Sequence, residues 1–122
     1  MEALDGPNIY WYLKSESMAD SDRIHQARMI VGLFRKLQAS RISHGDMKAS
    51  NIIMHKGQFA IIDLDSMREY KSESRFSRVF QKDLERFFRN WERAPELYHL
   101  FVRVFQEAGM SLPGSVRERT PA

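Results

Sequence analysis

Two short apolar runs, Ile52-Ile53-Met54 and Phe59-Ala60-Ile61-Ile62, are separated by a break at Lys56-Gly57. Runs of this length around a tight turn predict a β-hairpin, and that hairpin constrains everything near it. Its two open ends lie side by side. Asn51 enters the first strand and Asp63 leaves the second, so both can reach a common point. The preceding stretch, His44-Gly45-Asp46-Met47-Lys48-Ala49-Ser50, brings Asp46 to within a few residues of them. Such a cluster suits phosphoryl transfer. Hard divalent cations take oxygen ligands, and Asn51 and Asp63 offer an amide oxygen and a carboxylate. Asp46 can orient an acceptor hydroxyl and take its proton, while Lys48 places positive charge beside the transferring group. Positioning and electrostatics carry most of such a reaction.

The pattern His44-x-Asp46-x-Lys48-x-x-Asn51, with Asp63 downstream, resembles the catalytic loop and metal-binding aspartate of the protein-kinase-like fold. That fold's motifs are H-R-D-x-x-x-x-N and D-F-G. The variants His44-Gly45-Asp46 and Ile62-Asp63-Leu64-Asp65 are similar to those of the lipopolysaccharide-core sugar kinases, the heptose and Kdo kinases. So is the run Lys82-Asp83-Leu84-Glu85-Arg86-Phe87-Phe88-Arg89. The resemblance implies an α+β fold: a mainly helical large lobe with a short hairpin that carries the site. It implies ATP and Mg2+ as cofactors, Asp46 and Lys48 as catalytic residues, and Asn51 and Asp63 as metal ligands. His44 would hold the loop's shape. Asp83 would brace the loop by accepting its backbone N–H groups. The acceptor would be a hydroxyl of a lipopolysaccharide-core sugar, with other hydroxyls second. Gly45 stands where regulated protein kinases carry an Arg that binds an activation-loop phosphate, so no switch of that kind is expected. Asp65 stands where the family motif has Gly.

In chain order, residues 1–8 read as a lead-in, 9–110 as the kinase-like lobe and 111–122 as a flexible tail. Ile9-Tyr10-Trp11-Tyr12-Leu13 is aromatic and β-branched and predicts a strand. By resemblance it runs into a hinge, with Glu16 and Met18 beside the adenine; a plain edge strand is the other reading. Asp20 or Ser21 caps a helix starting near Asp22, whose buried stripe is Ile24, Ala27, Val31, Phe34 and Leu37, with Ile30 alongside. Residues 66–75 are polar and mixed in charge and predict a surface loop. There Arg68, Lys71 and Arg75 either meet substrate phosphates or are simply solvated. A second stripe runs Phe76, Val79, Phe80, Leu84, Phe87, Phe88, Trp91. Pro95 opens a last helix that ends at Gly109.

No glycine-rich G-x-G-x-x-G loop and no V-A-I-K-like lysine occur in the 122 residues. A full kinase-like fold has two lobes and about twice this length. The expectation is therefore a large lobe with its small lobe absent, weak in nucleotide binding and slow or inactive alone. The alternative is a non-catalytic binding or scaffold module, its exposed apolar face covered by a partner or a second copy. The chain has no Cys and a net charge of +3. These exclude disulfides and thiolate metal sites, and fit a reducing, cytoplasmic setting. No nucleic-acid partner is expected. No apolar run reaches the ~18 residues of a membrane span, so membrane contact would be peripheral at most.

Overall fold

The computed structural model describes residues 8–116. The predicted lead-in up to Pro7 and the tail from Arg117 lie outside the described residues.

Three helices build the core. Helix α2 (Asp20–Ala39) buries Ala27, Ile30, Val31, Phe34 and Leu37. This is the expected stripe, except that Ile24 lies at the surface. The helix begins two residues early, without a side-chain cap; Asp20 and Asp22 instead supply negative charge to its first turn. Helix α3 (Glu73–Arg89) buries Phe76, Phe80, Leu84, Phe87 and Phe88. Helix α4 (Pro95–Glu107) has Pro at its first turn, and Gly109 at φ 74° ends it. The helices meet through aromatic rings. Phe87 lies 4.9 Å from both Phe34 and Phe101 and 5.9 Å from Phe105, in edge-to-face contacts.

The strands occupy one end. β2 (Ile52–His55) and β3 (Gln58–Ile61) form the predicted hairpin, with Ile52 opposite Ile61. Lys56 and Gly57 both have positive φ, 50° and 77°. Two such residues make a type I′ turn, whose twist matches that of the strands. A second pairing was not foreseen: β1 (Ile42–Ser43) runs antiparallel to β4 (Arg68–Glu69). It ties the loop entry to the segment after Asp63.

Three expectations are corrected. Residues 9–13 are not a hinge strand but a short helix, α1 (Ile9–Leu13), capped by the Asn8 carboxamide, which accepts from the N–H groups of Tyr10 and Trp11. Ile9 and Leu13, four apart, are both fully buried, while Trp11 is 67% exposed; the period is helical. Glu16 and Met18 then fall in the turn before α2. Arg23 holds that turn by donating to the carbonyls of Leu13, Ser15 and Met18. Second, the polar segment 66–75 is not all loop. It contains β4, and α3 starts at Glu73 because Ser72 caps it, accepting from the Arg75 N–H. Third, the tail is not frayed at its start: Pro113 is buried, and Leu112 and Val116 pack against the core.

Candidate active site

The loop from Ser43 to Ala49 has little regular structure of its own, so its backbone polar groups need partners elsewhere. Helix α3 provides them. Asp83 is 3% exposed. Its Oδ2 accepts from the Ser43 hydroxyl at 2.8 Å and the His44 N–H at 3.1 Å, and its Oδ1 from the Gly45 N–H at 3.0 Å. Asp83 thus holds three polar groups of the loop entry. Burial pushes its carboxyl above the usual pKa, against the opposing pull of those hydrogen bonds.

Two helical turns on, Asn90 grips the other end of the loop. Its Oδ1 accepts from the Ala49 N–H at 3.0 Å and its Nδ2 donates to the Met47 carbonyl at 3.1 Å. Arg86 lies between, donating to Asn90 Oδ1 at 3.3 Å and standing 4.0 Å from Asp46 Oδ1. Sequence reasoning gave neither residue a role at this loop. The available signal was a polar set at 83, 86 and 90, spaced to share one face of a helix whose neighbours are aromatic.

His44 is fully buried and joins the two halves of the site. Its Nδ1 accepts from the Asp46 N–H at 3.1 Å, so the ring proton sits on Nε2, which faces the Ile62 carbonyl at 3.0 Å. That tautomer follows from the partners alone. The histidine ties Asp46 to the residue before Asp63.

At the open end of the hairpin, Asn51 Oδ1 remains available because Nδ2 is the donor, bonding the Asp46 carbonyl at 2.9 Å. The Ile62 N–H bonds the Asn51 carbonyl at 2.8 Å, which places Asp63 one residue past the pair. Asp63 is exposed and left-handed, at φ 58° and ψ 67°. Among the described residues its carboxylate has no hydrogen bond or ion pair. Asp46 faces Lys48 Nζ at 3.3 Å. The backbone thus gathers Asp46, Lys48, Asn51 and Asp63 at one end of the hairpin.

No group of three or more His, Cys, Asp or Glu side chains that could hold a metal occurs among the described residues. One amide oxygen and one carboxylate nonetheless fit Mg2+, which is commonly held by one or two protein oxygens together with phosphates and water.

Gly45 has a local reason. It has φ 89°, and a Cβ there would come within 2.9 Å of Ser66 Cβ and 3.2 Å of the Ser66 carbonyl oxygen. The loop and the turn at Leu64–Ser66 approach too closely for any side chain. Of the remaining sequence candidates, Arg68 lies on β4. The Lys71 carbonyl accepts from Arg41 at 2.8 Å, and Arg75 is exposed in the first turn of α3. Glu16 and Met18 are not brought to this end by any strand.

Among known proteins, the model of a family described as RIO1, the RIO domain, matches residues 1–99. No curated protein matches the chain.

Proposed function

The chain belongs to the RIO-domain family of atypical protein-kinase-like proteins, and from that premise we propose that it is a phosphoryl-transfer module acting from Mg-ATP to a hydroxyl acceptor. Domains of this family generally bind ATP and Mg2+. The observation that carries the reading is the pair of unused oxygens at one hairpin end, Asn51 Oδ1 and the Asp63 carboxylate, beside a loop that is held rigid.

In this reading Asn51 and Asp63 would hold the cation, which neutralises the nucleotide's phosphates when bound. Asp46 would accept the acceptor's hydroxyl proton, its backbone fixed by His44 at the N–H and by Asn51 at the carbonyl. Lys48, already 3.3 Å from Asp46, would offer its charge to the transferring group. A sugar hydroxyl of the lipopolysaccharide core as acceptor rests on the motif variants around Gly45 and Asp65. Nucleotide affinity should be modest, since the sequence carries no glycine-rich loop to cover the phosphates.

The test is calorimetric titration of Mg-ATP into the chain and two variants. Asp63→Asn should weaken binding by about tenfold or more through loss of a cation ligand. Asp46→Asn should leave binding intact and remove transfer wherever transfer is measurable. Equal Mg-ATP affinity in wild type and Asp63→Asn would refute the assignment.

A further inference from the structure

A cavity of about 230 Å3 opens where β1, the loop, β4 and α3 meet. Ser43, Gly45, Ser66, Arg68, Tyr70 and Lys82 form its wall. The two cations come from different elements, Arg68 from β4 and Lys82 from α3. Neither has an ion-pair or hydrogen-bond partner among the described residues, and the Tyr70 hydroxyl has none either. Arg23, Arg41 and Arg86 donate to the chain's own oxygens, whereas Arg68 is one of several described arginines that do not, and it stands in a cavity wall. The acid at this cavity is Asp83, which is buried with three donors on its carboxylate. It makes no ion pair with either cation.

We propose that this cavity binds the phosphate monoester of an already phosphorylated sugar acceptor. Arg68 matches phosphate through its planar fork, and Lys82 adds a point charge from the opposite side. Tyr70 supplies a neutral donor. Pockets for whole drug-sized ligands run to about 300–1,000 Å3, so this smaller space suits the charged end of a larger molecule. Gly45, in the wall, directly precedes Asp46. A molecule anchored here by its phosphate would lie beside the loop that carries the proposed base. The structure thereby narrows the earlier set of substrate-facing cations. Arg68 stays, Lys82 joins it, and Lys71 and Arg75 lie outside the wall.

The acceptor role rests on the kinase reading, but binding does not. The experiment is an NMR titration of the 15N-labelled chain, without nucleotide, using glucose 6-phosphate, glucose and inorganic phosphate separately. Glucose 6-phosphate should shift the amides of residues 43–45, 66–70 and 79–83 saturably, more weakly at high salt. Arg68→Ala and Lys82→Ala should each weaken it by about tenfold. Both variants lie at exposed positions, and their amide spectra report whether the fold is kept. Absence of those shifts, or unchanged affinity in both variants, would overturn the site. Inorganic phosphate binding as tightly as the sugar phosphate would overturn the acceptor assignment. A chain that ignores Mg-ATP yet binds the sugar phosphate would refute the kinase reading and retain the site.

Discussion

The loop that carries Asp46 and the hairpin exit that carries Asp63 differ in what stands behind them. The loop is gripped at both ends by one helix, through Asp83 and Asn90, and His44 locks its middle. Asp63 is exposed, in a left-handed backbone, with no partner for its carboxylate among the described residues. One half is pre-organised by the protein. The other keeps its carboxylate oxygens unpaired among the described residues. In phosphoryl transfer that division has a physical rationale. The group that meets the acceptor must be held before the substrate arrives, whereas a cation ligand must keep its oxygens free. Strain of the kind seen at Asp63 persists where surrounding structure enforces it, and such residues gather at functional sites.

The contrast breaks most sharply at Asp83. Asp83→Ala leaves the N–H groups of His44 and Gly45 and the Ser43 hydroxyl without their acceptor. At ~1–3 kcal/mol for each unsatisfied buried donor, the buried Ser43 and His44 groups alone should cost about 2–6 kcal/mol of folding stability, the Gly45 N–H being open to water. Urea denaturation measures it, and a loss below about 1 kcal/mol would mean the loop does not depend on α3. The same carboxylate gives a pH signature. Burial raises its pKa in the folded chain, so between about pH 4, the unfolded value, and that raised value the folded state binds more protons. Its contribution is therefore fully present below about pH 4 and declines as pH rises through the raised pKa. Asp83→Asn should remove that slope, and the stability gap between wild type and variant should narrow with rising pH.

Asn90 should matter less, because it serves one N–H and one carbonyl. Asn90→Ala should cost about 1–2 kcal/mol and speed hydrogen exchange at the Ala49 amide specifically. Asn90→Asp keeps the acceptor for Ala49 but sets an oxygen against the Met47 carbonyl, and should fall between wild type and Ala in exchange rate. Unchanged exchange at Ala49 in both variants would show that the second grip is not real.

What could be read from the chain follows the length of each signal. The hairpin was legible because two apolar runs flank a Lys-Gly pair that takes positive φ at both positions. Helix α2 was legible from a stripe several turns long, and α4 from the Pro95 that opens it and the Gly109 that ends it. Helix α1 was not. Five residues hold little more than one helical turn, and their β-branched and aromatic types outweighed the Ile9–Leu13 spacing. β1 and β4 have two residues each, too few for any period. The start of α3 was hidden in Ser72-Glu73-Ser74-Arg75, where a capping serine resembles loop chemistry. Asn90 escaped for a different reason: nothing local marks an amide that reaches a backbone 41 residues earlier. The reading of Asp83 rested on a family resemblance alone, because nothing local marks a carboxylate that reaches a backbone 38 residues earlier.

The smallest expected effect sharpens the contrast by its sign. Asp63 holds φ 58°, a region that costs L-residues about 1–2 kcal/mol and Asp somewhat less. Glycine removes that cost but adds unfolded-chain entropy of about 0.5–1 kcal/mol. Since no hydrogen bond of the Asp63 side chain is lost, Asp63→Gly should leave stability unchanged or raise it by up to about 1 kcal/mol. Mg-ATP binding should nevertheless weaken, as in Asp63→Asn. Stability held or gained while cation binding is lost is the behaviour of a residue kept for its ligand. A clear destabilisation would instead show that Asp63 supports the fold as Asp83 does, and the two halves of the site would no longer differ in kind.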